Sequence, residues 1–170
     1  MFLGKSSLLL LLLVSLSGCA TEGAELEAAR AGGNVAALCR AAETGTSWVA
    51  GDAARALGRT GGGCAADALI ALLARADAGP WARGEAAFAL GKLQAAAAAP
   101  ALLSALERAG HPEERYALVW ALGRMCTPEA VSALEEHVSD TDLFVSRAAR
   151  KGLLECGKRR AESDSGRGAL

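Results

Sequence analysis

The chain has 170 residues and a formal net charge of −1, with 52% hydrophobic and only 4% aromatic residues. That length is enough for one domain with a real core. Near-neutral charge, with no basic stripe and no basic residues interleaved with aromatics, excludes nucleic acid as a partner. Abundant alanine and glycine beside so few rings suit closely packed helices.

The N-terminus opens with one cation, Lys5, followed by an apolar run from Leu8 to Val14 and then small residues. The run is too short to span a bilayer, and the layout is that of a secretory signal. The small residues end in a cysteine: Leu16-Ser17-Gly18-Cys19. This resembles the lipobox of bacterial lipoproteins at all four positions, against the plainer reading of an ordinary signal peptide with an incidental cysteine. The resemblance implies a signal peptide over 1–18, cleavage before Cys19, acylation of Cys19 and an anchor without a spanning helix. Ala20 resembles an outer-membrane sorting residue, which implies the periplasmic face of the outer membrane in a Gram-negative host. The mature chain then has 152 residues, with 17 basic and 19 acidic.

Residues 19–33 read as a short tether with helical character over Glu25 to Arg30, reaching at most ~50 Å when extended. Asn34 can cap a helix containing Val35, Leu38 and Arg40, an incomplete leading second helix. From there the chain repeats itself. Ala56-Leu57-Gly58-Arg59, Ala89-Leu90-Gly91-Lys92 and Ala121-Leu122-Gly123-Arg124 place their glycines 33 and then 32 residues apart. Arg83 and Arg115 stand eight residues before their glycine, and Pro80 and Pro112 eleven before it. Pro100-Ala101-Leu102-Leu103 matches Asp67-Ala68-Leu69-Ile70 and Ser132-Ala133-Leu134 at one offset. Such a period with two helical stretches per unit means a solenoid.

Each unit predicts a small apolar helix A, a turn and a leucine-rich helix B. Trp81 to Leu90 reads as helix A, with Gly91 at its left-handed end. Pro100 to Arg108 and Pro128 to Val138 read as helix B, proline suiting the first turn. Breaks fall at Asp77-Ala78-Gly79-Pro80, Gly110-His111-Pro112 and Asp140-Thr141-Asp142. Neither helix is stable alone, so each must bury its apolar face on its neighbours.

Glu85-Ala86-Ala87-Phe88-Ala89-Leu90-Gly91-Lys92-Leu93 and Thr127-Pro128-Glu129-Ala130-Val131-Ser132-Ala133-Leu134 resemble HEAT repeats, best the short bacterial type called PBS-lyase HEAT-like. The resemblance covers roughly residues 46–157. It implies an all-α, right-handed solenoid of antiparallel helix pairs, about three full repeats with partial capping units, over residues 34–157. The last unit, Leu143 to Gly157, lacks the Leu-Gly pair, its spacing can be 31 or 32, and Arg150 marks it as a terminal cap. Residues 158–170 read as a disordered polar tail.

Four cysteines remain beside Cys19: Cys39, Cys64, Cys126 and Cys156. They allow three pairings. The sequential one, Cys39–Cys64 with Cys126–Cys156, joins elements that a repeat fold brings together, and free buried thiols are the other reading.

No catalytic constellation is legible, so the chain reads as non-enzymatic, with no cofactor and no metal. His111 lies in a turn and His137 on a helix B, and no His-Glu pairs recur, so the similarity to metal-binding HEAT hydroxylases stops at the fold. Gly61-Gly62-Gly63 lacks the following Gly-Lys-Ser/Thr of a phosphate loop. Arg83, Arg115 and Arg147 form one column; in similar repeats that arginine is structural, and Asp77 and Asp142 are the acids at hand. Trp48 and Trp81 read as plugs of inter-repeat gaps.

Three residues before each glycine stand Arg55, Phe88 and Trp120, joined by Lys151 if the last spacing is 31. Tyr116 precedes Trp120 by one turn and shares its face. Phe88, Tyr116 and Trp120 therefore form either an exposed protein-binding cluster flanked by cations or rings folded over an alanine-rich surface. The helix-B groups Ser104, Glu107, Arg108, Glu136 and His137 compete as the binding face. The functional expectation is a membrane-anchored adaptor holding another, unidentified protein of the cell envelope. The alternatives are a ligand- or chromophore-binding protein similar to bilin lyase subunits, and a purely structural lipoprotein.

Overall fold

The computed structural model describes residues 22–167, with side chains to 163. The expected signal peptide and Cys19 lie outside the described residues. Residues 22–31 form α1, followed by α2 (Val35–Thr44), α3 (Ser47–Thr60), α4 (Ala65–Ala74), α5 (Gly79–Leu93), α6 (Ala99–Arg108), α7 (Pro112–Met125), α8 (Pro128–His137) and α9 (Leu143–Arg167). Short 3₁₀ turns at Ala76–Ala78 and Ala96–Ala98 complete the described elements, and no strand occurs among them. The chain is a short α-solenoid. Helices α3, α5, α7 and α9 pack in succession as a helix-A layer, and α2, α4, α6 and α8 line up as the helix-B layer.

Between the layers lies the core, filled by leucines of both: Leu57, Leu72, Leu90, Leu102, Leu122 and Leu134 are each fully buried. Alanines take the positions where helix A meets helix A. The Leu-Gly motif acquires its reason there. A methyl on Gly58 would stand 2.9 Å from the Cα of Ala89, one on Gly91 2.9 Å from the Cα of Ala121, and one on Gly123 2.8 Å from the Cα of Gly152. Each glycine lets the next helix A approach its backbone.

Gly91 is therefore not the left-handed helix end expected from the sequence. Helix α5 runs through it to Leu93, and the left-handed residue is Gln94, three positions later. Gly61 and Cys126 also have positive φ at that same offset, so the period fixes a backbone conformation even where the residue is not glycine. Pro100 and Pro128 do sit in the first turns of α6 and α8, where a missing N–H has no helical partner to lose.

The Gly123–Gly152 contact fixes the last register. Gly152 stands where Ala89 and Ala121 stand, which makes the final spacing 31 and puts Lys151 in the column of Phe88 and Trp120. Arg147 then falls out of the arginine column, which holds the buried Ser146. The partners of that column also differ from expectation. Arg83 forks onto Glu114 at 2.5 and 3.2 Å, and Arg115 onto Asp140 at 3.2 and 3.3 Å. Asp77 is held by Arg75 instead, and Asp142 caps α9 by accepting from the N–H groups of Phe144 and Val145. Two further steps, Arg30 to Asp52 (2.6 Å) and Arg55 to Glu85 (3.1 and 3.2 Å), extend this ladder toward the N-terminus. A forked arginine–carboxylate pair fixes geometry as well as charge, so the ladder sets the pitch between units.

The ends of the domain are longer than the sequence suggests. The stretch expected as a tether is α1, with Leu26 and Ala29 buried in the core and Arg30 bonded to α3. It supplies a helix A to the leading unit, whose helix B is capped by Asn34 accepting from the Ala37 N–H. At the other end, the polar tail expected to be disordered continues α9 to Arg167. Arg159 donates to the Arg124 carbonyl of α7 at 2.8 Å, which ties the extension to the body, and Lys158 meets Glu155 one turn back on α9 itself. Disulfides join Cys39 to Cys64 and Cys126 to Cys156, one in each terminal region.

Candidate functional site

All six aromatic residues of the described chain lie on helix A. Counting back from the glycine column, Trp48, Trp81 and Phe144 stand ten residues before it, Tyr116 seven, and Phe88 and Trp120 three. Steps of three and seven residues keep side chains on one helix face, so the six rings share the outer face of the helix-A layer. Neither the leucine core nor any helix B contains one.

Phe88, Tyr116 and Trp120 meet as the spacing requires. The Phe88 ring lies 5.9 Å from Tyr116 and 5.4 Å from Trp120, edge-on to both at 66°. Such edge contacts contribute about 1 kcal/mol each beyond their buried area. All three are half-buried. The Trp120 ring covers Gly91, whose added methyl would come within 2.7 Å of it. The glycine that admits a helix also seats a ring. Beside this cluster, Trp120, Arg124, Lys151 and Glu155 line a groove of about 330 Å³. Lys151 and Arg147 are exposed and carry no ion pair among the described residues.

The sequence-based reading of the tryptophans as core plugs is corrected. Trp48 is 59% and Trp81 42% exposed. Trp81 lies flat on Gly51, and the Arg55 guanidinium stands 5.6 Å from its ring centroid. The Glu85 hydrogen bond raises the Arg55 pKa still further, so this cation is permanent under the ring. Phe144, 66% exposed, was missed: only the 31-residue register puts it in the tryptophan column. It leans over Pro112, Glu113 and Tyr116 and with Phe88 lines an apolar groove of about 490 Å³.

The helix-B candidates do not gather. Arg108 bonds Ser104 at 2.6 Å, His137 holds its own helix at the Ala133 carbonyl, and Glu107 and Glu136 are exposed. His111 occupies the cap position of α7. Among the described residues no three His, Cys, Asp or Glu side chains converge so as to hold a metal ion.

This architecture has known counterparts. The chain matches HEAT repeats over residues 66–154, more than half its length, and a PBS lyase HEAT-like repeat over 49–75. It belongs to the HEAT-repeat family. No curated protein matches it. Among solved structures it is similar to human deoxyhypusine hydroxylase in complex with glycerol, at 30% identity and a TM-score of 0.61, over 73% of this chain. The chain spans 43% of the length of that protein. The likeness corrects the expectation of a non-enzymatic chain: an enzyme is built on the same repeats, so this fold gives no ground for excluding catalysis.

Proposed function

We propose that the chain is a membrane-anchored adaptor of the bacterial cell envelope, holding another envelope protein on the outer face of its helix-A layer. The observation that carries this reading is the gathering of every described aromatic on that face, while the fully buried core is aliphatic, mostly leucine and alanine with Val119 and Val145. Rings that lie half-exposed over the core, with the exposed Lys151 sharing a groove with Trp120, suit a partner that offers apolar and acidic groups. Solenoids present such extended faces to partners.

Two features support the location. Leu16-Ser17-Gly18-Cys19 has the layout of a lipidation site, and the other four cysteines are consumed in two disulfides, a pattern that persists in oxidising compartments. Cys19 is then the one thiol left for a lipid.

The test is chemical cross-linking in intact envelope membranes, comparing wild type with a Phe88→Ala, Tyr116→Ala, Trp120→Ala variant of equal abundance. A discrete partner captured by wild type and lost in the variant is the expected result. Capture unchanged by the variant, or no discrete partner in either sample, would count against the adaptor.

A further inference from the structure

Five large hydrophobic side chains are exposed among the described residues: Trp48, Trp81, Leu143, Phe144 and Leu154. Four of them share one place. Trp48, Trp81, Leu143 and Phe144 all fall within the first three residues of α3, α5 and α9. Helices of the A layer run parallel, since equivalent columns meet: Gly58 meets Ala89 as Gly91 meets Ala121, and Trp81 covers Gly51 near both helix starts. The four side chains therefore line one edge of the solenoid, where the helix-A starts and the inter-repeat turns lie.

The described start of α1 lies at the same edge. Arg30 stands three residues before Gly33 and its partner Asp52 six before Gly58, just as Arg55 stands three before Gly58 and its partner Glu85 six before Gly91, so α1 is parallel and in register with α3 and α5. Gly23 then occupies in α1 the position of Trp48 in α3. Glu22 lines one cleft with Thr44, Gly45 and Val49, at the start of α3. Cys19 precedes Glu22 by three residues, which span at most about 11 Å.

We infer that this edge rests on the bilayer that carries the anchor, with Trp48, Trp81, Leu143 and Phe144 in its interfacial layer. The inference builds on the lipidation of Cys19. An anchor tied so short leaves the body little freedom to turn away, and tryptophan is the side chain that favours the headgroup level. The edge is not basic: Asp77 is paired with Arg75 and Glu113 is exposed. Contact is therefore made by apolar side chains and is insensitive to salt. Seven residues along the helix put the column of Phe88 and Trp120 ~10 Å farther from the edge. Each interfacial layer is only about 5–7 Å deep, so Phe88 and Trp120 stay clear of lipid and open to a partner, while Tyr116, three residues from the edge column, borders the layer.

The test uses the full lipidated chain reconstituted in phosphatidylethanolamine vesicles with a minor share of phosphatidylglycerol and brominated acyl chains. Three single-tryptophan versions retain Trp48, Trp81 or Trp120, with the other two changed to phenylalanine. Trp48 and Trp81 are expected to be quenched several-fold more than Trp120, at low and high salt alike. Hydrogen exchange of the unmodified chain provides a second reading that needs no variant. Amides at 46–49, 79–82 and 142–145 should slow on vesicles, while those at 61–64, 94–98 and 125–128 should not. An acylated, vesicle-bound protein with equal quenching at all three tryptophans, or with no protection confined to this edge, overturns the inference alone. An N-terminal peptide whose mass lacks acyl groups overturns the anchor, and the inference with it.

Discussion

The two layers of this solenoid share one period and differ in nearly everything else. Helices α2, α4, α6 and α8 carry no aromatic residue, with six acidic and two basic side chains for a net −4. Helices α3, α5, α7 and α9, to residue 163, carry all six rings, with twelve basic against six acidic side chains for a net +6. The acidic α1, at net −2, does not reverse this. Helix B contributes leucines to the core and a solvated acidic surface. Helix A makes the contacts between units, through glycine, alanine and forked ion pairs, and presents the rings. Repeat-to-repeat geometry and the exposed rings therefore belong to one layer, so the docking face proposed above rests on the ladder beneath it.

Removing a charge separates the layers most sharply. Glu114 is 2% exposed and holds Arg83 of the preceding unit. Glu114→Ala leaves that arginine with only the Arg75 carbonyl and should cost about 3 kcal/mol in urea unfolding. Glu136→Ala, on exposed helix B, should stay within about 0.5 kcal/mol. Equal losses would break the distinction.

Opening the Cys126–Cys156 bond by a double serine substitution frees the α9 cap from α7 and should also cost about 3 kcal/mol. Hydrogen exchange should show α8 and α9 loosening before α4 and α5. Gly123→Ala tests the helix-A contact itself, because its methyl meets the Gly152 backbone with no flexible side chain to yield. A loss of about 2 kcal/mol is expected, as for an overpacked core site. Ser132→Ala, on helix B and exposed, is its near-silent counterpart.

The smallest effect is acid sensitivity. Burial pushes the Asp140 carboxyl up, but the Arg115 hydrogen bond and the Asp142 N–H outweigh it and leave the pKa below the usual value. A folded-state pKa below the unfolded one means that the stabilisation is complete above about pH 4 and fades as pH falls through the lower value. Asp140→Asn should remove that part of the acid dependence, read as a flatter midpoint between neutral and acidic pH.

The repeat, the helix pairing and the cysteine proximity were legible because period is a property of sequence itself. The Phe88–Tyr116–Trp120 cluster was legible for the same reason: residues in one column or one turn apart must meet. The exposure of Trp48 and Trp81 was not, since a large ring at a column position suits a gap as well as a surface until Gly51 is seen beneath it. Phe144 was hidden by one residue of ambiguity in the last spacing. That ambiguity disappears only when Gly123 is seen against Gly152. The ladder's acids, Glu114 and Asp140, are not legible in the repeat because they lie nine residues before one glycine and in the turn before α9, offsets no period predicts. In the sequence α1 resembles a tether because its one large core residue, Leu26, sits among glutamates.

The most direct test of the account places a photo-cross-linking residue at Lys151, beside Trp120, and separately at Glu136 on helix B, in envelope membranes. A discrete protein should be captured from position 151 and lost when Trp120→Ala is added, with nothing comparable from position 136. Capture from position 136 alone, or capture from 151 that survives Trp120→Ala, would contradict the adaptor reading.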